Sequence, residues 1–192
     1  MKPLPKVKHV PSFWVTPDDG KEEELHLSLE DAYLKRYKYS FSSTKLRKRM
    51  EEINPQLSDD DMSNIDFQVS EWSGEYNIPV NLLIAIMEVE SSYQIRAVSP
   101  KGAVGLMQIN PRVWYDTLQK NKIDPTALFT PYHNVRAGAF ILKHYATELE
   151  KGGCSEEDPT FVRKLLAKYL GADSEVYFEK VRKVYDFYVK GS

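Results

Sequence analysis

From Ser58 to Tyr188, apolar residues recur at the three-and-four spacing of α-helices, and the rhythm lapses only between Ser92 and Pro131. Ser58 and the three aspartates after it form a helix start, a cap followed by negative charge at the positive end of the dipole. Ile65, Val69 and Trp72 then line one face of a helix running to about Tyr76. Pro79 stands where a first helical position is expected, ahead of Leu82, Leu83, Ile86 and Met87. Helical spacing returns over Pro131–Leu149, Phe161–Tyr169 and Val176–Tyr188. Within the lapse, Val98 to Asn110 holds Pro100, Gly102, Gly105 and short apolar alternations, which predict a tight loop or a small β-hairpin. No internal repeat is present. The chain is therefore expected to be mainly α, with one loop-rich insert.

The first part of the chain reads differently. Pro3, Pro5, Pro11 and Pro17 lie among scattered apolar residues, and proline lacks the helical amide donor, so residues 1–20 predict an extended arm. Leu29, Ala32, Tyr33 and Tyr37 predict a helix from Ser28. A second helix is expected over Ser43–Ile53, with Leu46, Met50 and Ile53 on one side, ended by Asn54-Pro55. Lys45, Arg47, Lys48 and Arg49 surround that stripe, as a solvated face or as a site for an anionic partner. Residues 1–57 are thus read as an arm with a helical extension, and residues 58–192 as the main domain.

Composition excludes several classes. A chain of 192 residues with 42% hydrophobic residues can bury a real core. Its 26 basic and 28 acidic side chains leave −2, so no basic field points to nucleic acid. No apolar run approaches the ~18 residues of a membrane span. The start, MKPLPKVKHV, lacks the apolar stretch of a secretory signal, and the sequence leaves open whether one precedes it. Cys154, alone, excludes an internal disulfide and a cysteine-based zinc site. His133 and His144 are too far apart on one predicted helix for a two-histidine metal site, and both read as structural.

The chemistry concentrates at Glu90. At about 100° per residue, Glu90 shares the helix face of Leu83, Ile86, Met87 and Tyr93, while Glu88 projects to the opposite side. A carboxyl against apolar surface has its pKa raised by desolvation, the condition for a general acid near neutral pH. A buried glutamate paired with a basic residue is the alternative. After Glu90 come Ser91, Ser92 and Tyr93, then a loop reading Ala97-Val98-Ser99-Pro100-Lys101-Gly102-Ala103-Val104-Gly105-Leu106-Met107-Gln108-Ile109-Asn110-Pro111. Its glycines let backbone approach a ligand, and Gln108 offers both donor and acceptor to a sugar hydroxyl or amide.

This arrangement resembles the soluble-type (SLT domain) lytic murein transglycosylases, related to goose-type lysozyme. The shared signature is a helix ending in Glu-Ser, an aromatic two residues later, and Ser-Pro-x-Gly-Ala-x-Gly-Leu-Met-Gln before a proline. Asn134-Val135-Arg136-Ala137-Gly138-Ala139-Phe140-Ile141-Leu142 is similar to the family's next helix. Ala167-Lys168-Tyr169-Leu170-Gly171 keeps only part of the late Ala-Tyr-Asn-Ala-Gly motif, with Leu170 in place of the asparagine. The resemblance covers about residues 60 to 190.

What the resemblance implies is an α+β lysozyme-like fold that cleaves the MurNAc–GlcNAc β-1,4 bond of peptidoglycan. Most glycosidases use two carboxylates, and no acidic residue follows Glu90 until Asp116. In the family one glutamate makes both proton transfers, leaving 1,6-anhydro-muramyl ends with neither water nor cofactor or metal. By matching position, Ser99 and Gln108 meet the substrate, and Tyr169 lies near Glu90. The residues alone leave other readings open: Ser99 as a turn residue, Gln108 as a brace for loop backbone, Tyr169 as core. Asn110 is a further substrate-side candidate of open role, and Arg96, Lys101 and Arg112 are candidates for peptidoglycan carboxylates. A monomer at the cell envelope or in the periplasm is expected, with the N-terminal extension free to dock an envelope protein. A goose-type hydrolase and a wall-binding accessory are the alternatives.

Overall fold

A computed structural model of the chain describes residues 42–189, among which it has seven helices and no strand. The proline-bearing arm and the helix expected from Ser28 lie outside the described residues. Local signals account for most helix starts. The Ser42 hydroxyl accepts from the Lys45 amide to open α1 (Ser43–Ile53), and Ser58 accepts from the Asp61 amide to open α2 (Asp59–Tyr76). α3 (Val80–Ser91) starts one residue later than expected, with Pro79 as its cap. α5 (Pro131–Lys151), α6 (Phe161–Leu170) and α7 (Glu175–Val189) fall on the periodic segments.

α4 (Pro111–Lys120) was not expected. Of its residues only Leu118 is buried, so it lacks the core-facing stripe on which a periodicity argument rests. Asn110 opens it by accepting from the Arg112 amide, and Pro111 takes the first helical position.

α3 is the hub of the molecule. Leu82 to Met87 have no exposed surface, and burial continues from Asn81 to Glu88, right around the helix. The placing of Glu88 on an outward face is thereby corrected: its carboxylate is only 8% exposed and sits against the Arg49 guanidinium. An isolated helix has one apolar face, whereas this one is enclosed by α2 on one side and α7 on another. α2 also lies along α5, which carries α6. Leu46 and Met50 of α1 enter the same core, so the described part of the N-terminal extension is bound into the body. Part of its basic face meets intramolecular carboxylates, Arg47 on Asp59 and Arg49 on Glu88.

The insert is a loop pinned by two isolated antiparallel bridges, Val98 to Val104 and Val104 to Ile109. Asn134, in the first turn of α5, holds it from behind. Its Oδ1 accepts from the Met107 amide at 2.7 Å, and its Nδ2 donates to the Val104 and Leu128 carbonyls at 3.0 and 2.7 Å. Gly105 has a φ of +75°, and a Cβ there would run into the Asn134 amide and the Leu128 carbonyl. One turn along α5, Gly138 leaves the space that the Met107 thioether fills. Gly138 and Asn134 together seat the loop on α5.

Asn134→Ala would take the side-chain partner from the Met107 amide and the Leu128 carbonyl, and leave the Val104 carbonyl with the Ile109 amide alone. We expect it to destabilise the fold by about 3 kcal/mol, measured by urea denaturation at neutral pH.

Candidate active site

The last turn of α3 carries Glu90 into a groove of about 380 Å³. Its walls are the insert (Ser99, Lys101, Gln108), α4 (Val113, Trp114) and the end of α6 (Tyr169, Leu170). Two successive left-handed residues, Ser92 (φ 51°) and Tyr93 (φ 61°), turn the chain straight after α3. Tyr93 is wholly buried, anchoring that turn beneath the helix end.

Glu90 is half-buried and is the one carboxylate in the groove lining. Its Oε1 accepts a 2.6 Å hydrogen bond from the Tyr177 hydroxyl of α7. Burial holds its pKa above the ordinary glutamate value, and the Tyr177 hydrogen bond opposes this by favouring the ionised form. No ion pair reaches it among the described residues. The carboxyl is therefore suited to give up a proton within the groove and to take one back.

Each sequence-selected residue has a definite place. Tyr169 lines the groove, but its hydroxyl donates to the Met107 carbonyl at 2.8 Å and so ties α6 to the insert. Burial and the nearby Glu90 carboxylate both hold this phenol in its neutral form. Tyr177, which contacts Glu90 directly, was missed; it is 87 residues away in sequence and has no motif beside it in the insert. Ser99 accepts from the Ala103 amide at 3.0 Å, leaving its own hydroxyl proton available. Gln108 (φ 48°) donates from Nε2 to the Gly105 carbonyl at 3.0 Å, leaving Oε1 as its groove-side acceptor. Asn110 lines the groove with its amide engaged at both ends, Oδ1 on the Arg112 amide and Nδ2 on the Lys101 carbonyl.

The other candidates divide. Lys101 lines the groove together with Lys168, which pairs with Glu148 at 3.0 Å. Arg96 lies in a larger, more open cavity of about 970 Å³ beside the α1–α2 junction, and Arg112 is exposed outside the groove lining. The smaller cavity is the candidate site because it contains the desolvated carboxyl. His133 lies 3.1 Å from the Thr130 hydroxyl, and His144 packs edge-on to Trp114. Cys154 lies 3.4 Å from both Asp158 and Lys164. Among the described residues no three His, Cys, Asp or Glu side chains are grouped to hold a metal.

Helices around one groove, with one unpaired carboxyl at a helix end and a glycine-bearing loop across from it, define a lysozyme-like helical domain. The chain belongs to the transglycosylase SLT domain family, whose model matches residues 67–168. It is 34% identical over 100 residues to the membrane-bound lytic murein transglycosylase C of Glaesserella parasuis, covering 50% of this chain and 27% of that protein. The Haemophilus ducreyi protein of the same name is 35% identical over 79 residues, covering 38% of this chain and 22% of that protein. The matched part thus spans about a quarter of those curated relatives. The solved 70 kDa soluble lytic transglycosylase of Escherichia coli aligns over 73% of this chain and 24% of its own, at 24% identity and a TM-score of 0.42.

The raised pKa of Glu90 has a consequence for stability. Burial penalises only the ionised form, so the penalty is absent below the unfolded glutamate value and grows as pH rises through the folded one. Glu90→Gln is therefore expected to melt higher than the parent at about pH 7.5, with the difference gone near pH 4, as read by thermal scans across that range.

Proposed function

We propose that the chain is a peptidoglycan lytic transglycosylase in which Glu90 acts first as general acid and then as general base. The observation that carries this is a half-buried carboxyl, without a cation, at the floor of a groove with polar loop groups on one side and apolar side chains on the other. Membership of the SLT family and the names of the relatives support the substrate class.

In the first step the Glu90 carboxyl protonates the oxygen joining N-acetylmuramic acid to N-acetylglucosamine, and the C1–O bond breaks. The muramyl acetamido carbonyl stabilises the cation that develops, as in substrate-assisted glycosidases. The ionised Glu90 then takes the proton of the muramyl C6 hydroxyl, whose oxygen closes onto C1. The 1,6-anhydro ring forms and Glu90 recovers its proton, so atoms and charge balance. Tyr177 holds Oε1 throughout and leaves Oε2 for the sugar. It also steadies the carboxylate between the two transfers.

Ser99 and Gln108 offer one donor and one acceptor to the glycan, Tyr169 sets the groove wall, and Asn110 fixes the rim against Lys101. The same reading puts residues 58–192 in the catalytic unit and the protein in the periplasm or at the cell envelope. No helix among the described residues is long and apolar enough to cross a membrane. It also has the protein act as a monomer, with the N-terminal extension, residues 1–57, docking an envelope partner; the extension precedes the family-matched segment.

Mass spectrometry of muropeptides released from purified peptidoglycan tests the reading. Anhydro-muramyl ends are expected; reducing ends would mean hydrolysis, and absence of products a binding role. Glu90→Gln should stay folded and lower release by at least about 100-fold. Tyr177→Phe should lower it by about tenfold while raising the pH at which activity is lost on the alkaline side, since the ionised Glu90 loses a hydrogen bond.

A further inference from the structure

We infer that Arg49, on α1 outside the family-matched segment, is a positioning residue for Glu90, acting through the buried Glu88 and the two α7 tyrosines. The inference rests on the catalytic role proposed above for Glu90.

Glu88 and Glu90 lie two residues apart on α3 and so leave it about 200° apart. Glu90 is held on the groove side by Tyr177 at 2.6 Å. Glu88 is held on the other side, where the Arg49 guanidinium grips both carboxylate oxygens, from Nη2 at 2.6 Å and from Nε at 3.2 Å. The Tyr93 and Tyr188 hydroxyls also donate to Glu88 Oε2, at 3.1 and 3.5 Å, and lie 2.9 Å from each other. Tyr177 and Tyr188 are three helical turns apart and share one face of α7. α7 therefore straddles the end of α3, with a tyrosine on the carboxylate at either side.

Arg49 locks this clamp. It brings the cation that neutralises Glu88, and its guanidinium lies 4.9 Å from the Phe187 ring centroid, against the same end of α7. Asn54, the residue after α1, donates to the Tyr93 carbonyl at 3.1 Å and fixes α1 to the turn that ends α3. Without Arg49, Glu88 is a buried carboxylate facing only tyrosines, and it favours moving toward water. That movement displaces Tyr188, the α7 register and the Tyr177 contact on which Glu90 depends. A bidentate guanidinium supplies direction as well as charge, which an ammonium does not.

The groups facing Glu90 are Tyr177 on α7 and Tyr169 on α6, with Tyr145 of α5, Lys101 and Lys168 elsewhere in the groove. Loss of the Tyr177 hydrogen bond raises the pH at which Glu90 ionises. The test uses Arg49→Met and Arg49→Lys in the full chain, at a temperature where both are folded by circular dichroism. Two quantities are read: kinetics of anhydro-product release from soluble glycan strands, and the carboxyl 13C titration of Glu90, its signal identified by its loss in Glu90→Gln.

Arg49→Met is expected to lower kcat about tenfold with KM within twofold, because a small displacement of a reacting group acts on the chemical step. Its Glu90 signal should titrate at higher pH, and Arg49→Lys should recover part of both effects. Should Arg49→Met fail to fold, Glu88→Gln takes its place, since it keeps the shape and removes the charge that Arg49 answers. Unchanged kcat or an unchanged Glu90 titration in a folded variant overturns the inference. A parent that releases no anhydro products defeats the proposed function instead, and the titration still decides whether Arg49 acts on Glu90.

Discussion

Enclosing α3 on every side forces its acidic residues into unlike environments. Glu88 goes into the interior, where a bidentate guanidinium and two phenols answer its charge. Glu90 goes to the groove, where one phenol holds it and no ion pair reaches it among the described residues. An ionised carboxylate in low dielectric persists only when countercharge is at hand, and otherwise its protonated form gains. Two carboxyls on one helix turn therefore differ in what they do, and the difference lies in their neighbours.

The groove's loop is likewise held by its neighbours. It has few interstrand hydrogen bonds, so the positions of its backbone amides come from elsewhere. Asn134 reaches out of α5 to two of its backbone groups and to the Leu128 carbonyl, Gly138 leaves room for Met107, and Tyr169 ties the Met107 carbonyl to α6. Ser99, Gln108 and Asn110 each use part of their hydrogen-bonding capacity on the loop itself. The structural and ligand-facing readings of these side chains are compatible, because a polar group held by its own backbone is already oriented for any ligand that enters the groove.

Much of this was legible in the chain. Ser58 with its aspartates, Pro131 and the apolar periods of α5, α6 and α7 are local signals, set by hydrogen bonds and side-chain spacing within a few residues. Glu90 stood out because a carboxyl inside an apolar stripe and a glycine-bearing loop just after it are both local features. α4 escaped notice because its apolar side chains mostly face the groove and solvent; Val113 is 69% exposed. Tyr177 escaped because a tyrosine on an amphipathic helix is ordinary until its hydroxyl has a target.

The order of residues by itself determined every described helix except α4, the break between them and the glutamate at the end of the most apolar one. These follow from backbone hydrogen bonding and periodicity, which reach only a few residues along the chain. Tertiary structure alone decided that Glu88 is buried, that Arg49 answers it, and that Tyr177 rather than Tyr169 touches Glu90. Those outcomes depend on which helices cross at α3. The crossing is set by the fit of whole faces, and it joins side chains 39 and 87 residues apart.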